Sequence, residues 1–522
     1  MRVNPMERNA SKTRPLKRMR LPKICVAVQA ETPAEMFGRA EAALKQSRFL
    51  EFRLDSLAEP AVGLSRLRKF LASHANVVAI GTCRRKPGGG SFLATLEDEL
   101  AILLKAAKAG CRIIDLEIES AEEAGIEQFE KFRVAVRKTG AALLISFHDF
   151  ARTRGLQDAT RRILAFEPDM VKVVSTAQSL ADNLAVLRLI EDQSDSSRVV
   201  GIAMGEEGIV SRVLGPRAGS EFTFASLEEG NETAPGQVSG TTMRRLYRAD
   251  RLNPDTRVFG VAGNPIGHSM SPLMHNTAFR SAGVNAVMLP LKTRALADLM
   301  TLMLELPMSG CAVTMPLKEQ VLQHLAHVDP LTERIGACNT LRVGGDLKVQ
   351  GFNTDVAGIV VPLEQRMKLK GARIAVLGAG GAARAAVFGL VDKGVEVFVI
   401  NRTHEHAVSL ARAAKASAMK HNLLAKYEFD VLINSTPCGM AGSQQALPIA
   451  ENELNAGLVF DMVYNPLETP LIRLAKSRGL PIITGLEMFV QQGVRQFEIW
   501  TGKKAPVEEM TRVVRRKLKE KK

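Results

Sequence analysis

No stretch of this 522-residue sequence carries the roughly 18 uninterrupted apolar residues of a membrane-spanning helix, so no such helix is expected. Cysteine is sparse and scattered. The six (Cys25, Cys83, Cys111, Cys311, Cys338 and Cys438) form no CxxC pair, which argues against a disulfide framework or a zinc site and for reduced core residues. Histidine offers only the near pairs His324/His327 and His404/His406, with no carboxylate or third ligand at metal spacing, so no metal is expected. The N terminus has no apolar segment of the secretory kind.

A formal charge of +15 raises the question of nucleic acid, and the location of the charge answers it. Residues 1–23 hold eight Lys or Arg against Glu7 alone, and residues 511–522 hold seven against Glu520 alone. Nearly all the excess therefore sits in two short basic tails, 1–22 and 511–522, expected to be solvated and partly disordered. No specific nucleic-acid surface is expected. A cytoplasmic protein is expected, with organelle targeting by the basic N terminus as the alternative. The remaining composition, 46% hydrophobic and 24% charged, is that of ordinary globular domains.

Between residues 23 and 227 eight strand-like runs recur, most of them starting 23 to 35 residues apart: 23–30, 49–57, 76–84, 111–119, 142–150, 169–177, 198–205 and 221–227. Helix-patterned segments such as "EDELAILLKAAKAG" fill several gaps. Alternation at that spacing implies parallel strands, and eight units imply an α/β fold with a (β/α)8 barrel over 23–245. Barrel enzymes build their sites at the carboxyl ends of the strands. Glu51, Arg53, Arg84, Glu117, His148, Lys172 and Arg212 lie on these runs or just after them. The alternative for Glu117 is a paired residue of the barrel interior. Lys172, between Val171 and Val173 in "PDMVKVVSTAQ", poses the sharpest question. An ammonium in an apolar strand usually finds a partner or loses its proton.

A second system begins near Thr256 after a polar, Gly/Pro-containing stretch. Its clearest unit is "ARIAVLGAGGAARAAVFGLVDKGVEVFVINRT", which reads as strand, glycine turn, helix and strand. Gly378, Gly380 and Ala383 fit a dinucleotide fingerprint whose helix N-terminus receives a pyrophosphate. The second strand ends in Asn401-Arg402-Thr403, without the acid of NAD sites. An arginine there suits the 2′-phosphate of NADP.

At these motifs the first half resembles type I 3-dehydroquinate dehydratases: "EFRLD", "TCR", "ISFHDF", "VKV", "IVSR" and "APGQ". The second half resembles shikimate dehydrogenases, through "NPIGHSMSPLMHN", "AVTMPLKE", "GACNTL", "GFNTD", "GAGGAARA", "NSTPCGM", "DMVYNPLETPL" and "GLEMFVQQG". The resemblance implies a two-step enzyme of the shikimate pathway that acts on small molecules (3-dehydroquinate, 3-dehydroshikimate and shikimate) as a monomer or homodimer. For the first half it implies Lys172 as the imine former and His148 as acid/base. It also implies Arg212, Glu51, Arg53, Arg84, Thr233 and Gln237 as substrate ligands. A glutamate four residues after the "TxR" arginine, which helps to orient the histidine, is common in that family. Here Pro87 or Gly88 takes that place.

For the second half the resemblance implies a substrate-binding domain over 256–365, a Rossmann-type NADP-binding domain over 366–485 and returning helices over 486–510. Lys318 and Asp355 would be catalytic. Ser269 and Ser271 would bind the carboxylate, and Thr314, Asn339, Gln492 and Tyr464 would line the same pocket. NADP(H) would meet Gly378, Ala379, Gly380, Gly381, Ala382, Asn401, Arg402, Thr403, Thr436, Met462 and Gly485. Where the family usually has "SKSP" this chain reads "SMSP", with Met270 for the lysine and both serines kept. Two alternatives remain open at this point: a quinate-preferring second half, and a non-catalytic sensor of pathway metabolites.

Overall fold

The structure is a computed structural model that describes residues 20–520 apart from 231 and 268. Eight barrel strands follow one another: β1 (Ile24–Val28), β2 (Phe49–Arg53), β3 (Val78–Thr82), β4 (Ile113–Glu117), β5 (Ala142–His148), β6 (Met170–Thr176), β7 (Val199–Met204) and β8 (Thr223–Ala225). They run parallel in the order β7-β6-β5-β4-β3-β2-β1-β8. Pairing of β1 with β8 curls the sheet, and Glu221 N donating to Val199 O at 2.9 Å links β7 to β8, so the barrel is nearly closed.

Strand periodicity decides what faces the axis. Phe49, Ile113, Ala142, Leu144, Met170 and Val174 belong to one interior cluster, whereas Leu50, Phe52, Leu116 and Val173 join the core beneath the helices. Counting by twos from the interior positions puts Glu51 and Arg53 on the inner face of β2. The same count turns Asp115 and Glu117 inward on β4, Ser146 and His148 on β5, and Lys172 on β6. The barrel is thus apolar at its amino end and polar at its carboxyl end.

The chain then builds a six-stranded sheet in the order Ala286–Lys292, Arg257–Gly263, Gly310–Val313, Thr340–Val343, Val349–Phe352, His327–Val328. A third sheet is wholly parallel. It runs Ser417–Ala418, Glu396–Ile400, Arg373–Leu377, Phe429–Asn434, Ala456–Asp461, Ile482–Ile483, a 3-2-1-4-5-6 order with its switch point between Arg373–Leu377 and Phe429–Asn434. Helix Gly485–Thr501 returns to lie on helix Asp355–Glu364, where Gly358 lets Met488 O come close.

Two expectations fall on the ends of the chain. Residues 1–19 of the N-terminal tail lie outside the described residues. The C-terminal basic run, expected as a solvated tail, is instead helical to Glu520. Met510, Val513, Val514 and Leu518 form its buried stripe, against helices Ser271–Ser281 and Gly485–Thr501, and the basic residues occupy the outer face.

The barrel and the second half of the chain share one continuous core and a polar seam. Asp298 accepts from Leu180 N and Ala181 N at 2.9 Å each, in the loop after β6. Lys292 pairs with Glu206 and Glu207, at 2.8 and 3.1 Å, in the loop after β7.

Candidate active sites

At the carboxyl end of the barrel the inward polar residues form one bonded assembly. Lys172 Nζ donates to Asp115 Oδ2 at 2.8 Å, lies 3.9 Å from Glu51 Oε1, and sits 4.6 Å from the centroid of the Phe224 ring. The lysine is therefore buried with a partner. Burial alone would push the Asp115 carboxyl up, but Lys172 and Arg84 together hold it below the usual carboxylate range. Thr82 donates to Glu51 at 2.9 Å, which ties β3 to β2 at the same level.

His148 stands on the neighbouring strand, since Ser146 is paired in register with Lys172 and His148 with Val174. Its Nδ1 lies 3.0 and 3.2 Å from the two oxygens of Glu117. Glu117 also pairs with Arg84, so the paired-residue reading of Glu117 holds, and the histidine is one of its partners. Burial lowers the His148 pKa well below the ordinary histidine value, with Arg84 and Lys172 adding to the effect. That shift favours the neutral imidazole, which has one nitrogen able to accept a proton.

The remaining residues divide into those already paired and those left open. Arg53 is engaged by Asp55 through two bonds of 2.9 and 2.7 Å, and so faces the site as one half of an ion pair. Thr233 and Gln237 sit in the loop after β8 and bond to each other, Gln237 Oε1 accepting from Thr233 N and Oγ1 at 2.8 and 3.0 Å. Arg212 is 1% exposed and bonds only two main-chain carbonyls, Phe224 O at 3.3 Å and Pro235 O at 3.4 Å. It has no carboxylate partner among the described residues, and burial pulls its pKa down to about 10. A buried guanidinium without a counter-ion is a site prepared for an anion.

In the second half Lys318 Nζ donates to Asp355 Oδ2 at 2.6 Å, and Asn339 Nδ2 donates to Asp355 Oδ1 at 2.8 Å. Asp355 opens helix Asp355–Glu364, where free amides favour a carboxylate. Thr314 follows strand Gly310–Val313, and Ser269 and Ser271 follow strand Arg257–Gly263. Asn264 N donates to Met315 O at 3.1 Å and joins those two loops. Tyr464 stacks on Phe489 at 4.8 Å, and Gln492 Nε2 donates to Phe489 O at 2.7 Å. Lys318, Asp355 and Asn339 are thus in direct contact. Among the described residues the two serines, Thr314, Tyr464 and Gln492 make no hydrogen bond to the side chains of Lys318 or Asp355.

Known proteins agree with this division. The type I 3-dehydroquinase model matches residues 24–254. The shikimate dehydrogenase substrate-binding domain matches 261–341, the shikimate/quinate 5-dehydrogenase model 362–447, and the shikimate 5′-dehydrogenase C-terminal domain 485–515. The chloroplastic bifunctional 3-dehydroquinate dehydratase/shikimate dehydrogenase of Arabidopsis thaliana is 33% identical over 511 residues, covering 93% of this chain and 83% of that one. The chain belongs to the bifunctional 3-dehydroquinate dehydratase/shikimate dehydrogenase family. Its second half is also 42% identical over 259 residues to the NADP+ shikimate dehydrogenase of Maridesulfovibrio salexigens, covering 48% of this chain and 94% of that protein. A Thermus thermophilus shikimate 5-dehydrogenase structure with NADP(H) and shikimate is 36% identical, covers 50% of this chain and 99% of its own, and has a TM-score of 0.45.

The cofactor of this bifunctional chain is NADP(H), and its residues fit that cofactor. Gly378 has φ +114°, and a Cβ there would strike Ser435 Oγ, whereas Gly380 and Gly381 have open space above them at the start of helix Gly381–Asp392. Ala379 and Ala382 flank these glycines. Arg402 and Thr403 are exposed at the end of strand Glu396–Ile400, and Asn401 folds back to Thr403 O at 2.9 Å. Thr436 lies across the switch point, held by Asn434, and Met462 and Gly485 meet through a close backbone approach.

Sequence reasoning missed Asp115, the immediate partner of Lys172. The signal was present in "CRIIDLEIE", where two acids alternate along a buried strand and so share the inner face.

Proposed function

We propose that in this bifunctional enzyme Lys172 forms an imine with the C3 ketone of 3-dehydroquinate while His148 moves the proton between carbon and the departing oxygen. The observation that carries this reading is the pairing of Lys172 with Asp115 at 2.8 Å beside an inward-facing His148 on the neighbouring strand. Asp115 is placed to take a proton as Nζ attacks the carbonyl, and water leaves as the imine forms. His148 Nε2 then removes a proton from C2, and the C–H electrons pass into the iminium to give an enamine. The enamine expels the C1 hydroxyl, which receives the proton from His148 and departs as water. Hydrolysis of the conjugated imine frees Lys172 and 3-dehydroshikimate. Arg212 supplies the counter-charge for the substrate carboxylate, and Glu51, Arg53, Arg84, Thr233 and Gln237 surround the ring.

In the second half NADPH, when bound, supplies hydride to the C3 carbonyl of 3-dehydroshikimate. Lys318, held by Asp355, donates the proton that the resulting oxygen takes up, giving shikimate. Ser269 and Ser271 bind the carboxylate, and Asn339 keeps Asp355 aimed at the lysine.

Borohydride tests the imine. Incubation with 3-dehydroquinate and sodium borohydride should add a substrate-derived mass to the peptide that contains Lys172 and abolish dehydration. A modification on another lysine, or none with activity retained, would overturn the assignment.

A further inference from the structure

His148 is held on two sides, by Glu117 and by Phe150. Glu117, 4% exposed, presents both carboxylate oxygens to Nδ1 at 3.0 and 3.2 Å. Phe150 stacks on the imidazole, with ring centroids 5.8 Å apart and planes 16° apart. The carboxylate is itself fixed by Arg84 and by Ser146, whose Oγ lies 3.0 Å from Glu117 Oε1 and 2.5 Å from Asp115 Oδ1. One hydroxyl proton thus serves either acid, and links the histidine assembly to the lysine assembly.

The turn after β3 closes on both supports. Lys86–Gly88 is a short 3-10 turn, and a Cβ at Gly88 would lie 3.1 Å from Glu117 Cγ and 3.6 Å from its Cδ. At Gly89, with φ +78°, a Cβ would strike the ring of Phe150. The glycines therefore let main chain pack directly on the two groups that hold the histidine.

We infer that Glu117 is the positioning residue of the dehydratase acid/base: it accepts the Nδ1 proton of His148 and leaves Nε2 free to take the substrate proton and return it. This rests on the role proposed for His148. A neutral imidazole has one donor and one acceptor nitrogen, and the partner of one sets the task of the other. A carboxylate on Nδ1 selects the tautomer in which Nε2 is basic and also stabilises the imidazolium formed in passing. The charged groups facing His148 are Arg84, Lys172 and Arg53 on one side, and Asp115 and Glu117 on the other. Removing Glu117 would leave three cations against one acid.

The test uses the full chain, with reduction of 3-dehydroshikimate as an internal control of folding. Glu117→Gln should lower dehydratase kcat by about 10²-fold with KM changed less than about threefold, and should move the acidic limb of the kcat profile to lower pH. Gly88→Glu added to Glu117→Gln should recover about tenfold or more, because position 88 abuts the same carboxylate space. In the unaltered protein, 15N spectra of the imidazoles, assigned by loss of the His148 signal in His148→Ala, should show the proton on Nδ1. A proton on Nε2, or a Glu117→Gln rate within about threefold of the parent while His148→Ala is inactive, would overturn the inference alone. Full activity of His148→Ala would overturn the role of His148 as well.

Discussion

Lys172 Nζ and Asp115 Oδ2 lie 2.8 Å apart inside the barrel, with the lysine side chain 5% exposed and the aspartate 1%. The pair is placed by two inner-face positions on β4 and β6, either side of β5, which carries His148. It answers how an ammonium is tolerated in an apolar strand: its charge is matched before substrate arrives. Asp115→Ala should therefore damage both folding and chemistry. Leaving one charge of a buried pair uncompensated costs about 3–5 kcal/mol, readable as a lower urea midpoint of the barrel, and dehydratase kcat should fall with it.

Lys318 and Asp355 make the corresponding pair in the second half, at 2.6 Å. Lys318→Ala should lower kcat for 3-dehydroshikimate reduction by about 10²- to 10⁴-fold, the usual worth of a positioned proton donor. Dehydration by the same protein should be unaffected, and steady-state assays of each step separate the two.

Arg402, exposed just after strand Glu396–Ile400, is proposed as the residue that meets the 2′-phosphate of NADP. Arg402→Ala should raise KM for NADPH by about 10- to 100-fold, the range for losing a hydrogen bond to a charged group. KM for NADH should change little. Equal losses for both cofactors would remove Arg402 from this role.

His275 carries a pH prediction for stability. It is fully buried, with Nε2 3.1 Å from Gln496 Oε1, and burial lowers its pKa to about 4 even though the Gln496 contact opposes the shift. Between pH 6.5 and 4 the unfolded chain binds a proton there that the folded chain refuses. Stability is thus intact above about pH 6.5 and falls as pH drops towards 4, by about 3 kcal/mol in all. Urea unfolding followed by Trp500 fluorescence across that window should show the loss, and His275→Gln should flatten it.

Asp298 caps two amides of the barrel from the dehydrogenase half. Asp298→Ala should cost about 2 kcal/mol for the acceptors lost, and hydrogen exchange at Leu180 and Ala181 should quicken.

Much of this design is visible before folding is considered. Lys172 could be placed on a barrel strand, but Met170, Val171, Val173 and Val174 make that strand apolar on both faces, so only the structure shows that Lys172 shares the inner face with Met170 and Val174. The glycine turn at Gly378 followed from a strand before it and an alanine-rich helix after it. The partners were harder to see. Which acid meets Lys172, and which meets His148, depends on the stagger of β4, β5 and β6, and strand periodicity gives the face without the level. The C-terminal run was misjudged for another reason. Counting charges hid Met510, Val513, Val514 and Leu518, whose spacing already marks one helix face.

The central claim is that one chain carries out dehydration through Lys172 and reduction through Lys318, and a single cuvette tests it. Supplied with 3-dehydroquinate and NADPH, the parent protein should consume NADPH and yield shikimate. Lys172→Ala should consume none from 3-dehydroquinate yet reduce 3-dehydroshikimate normally, and Lys318→Ala should accumulate the enone while NADPH falls at least about 10²-fold more slowly than with the parent. Near-normal NADPH consumption by Lys172→Ala from 3-dehydroquinate would contradict the account.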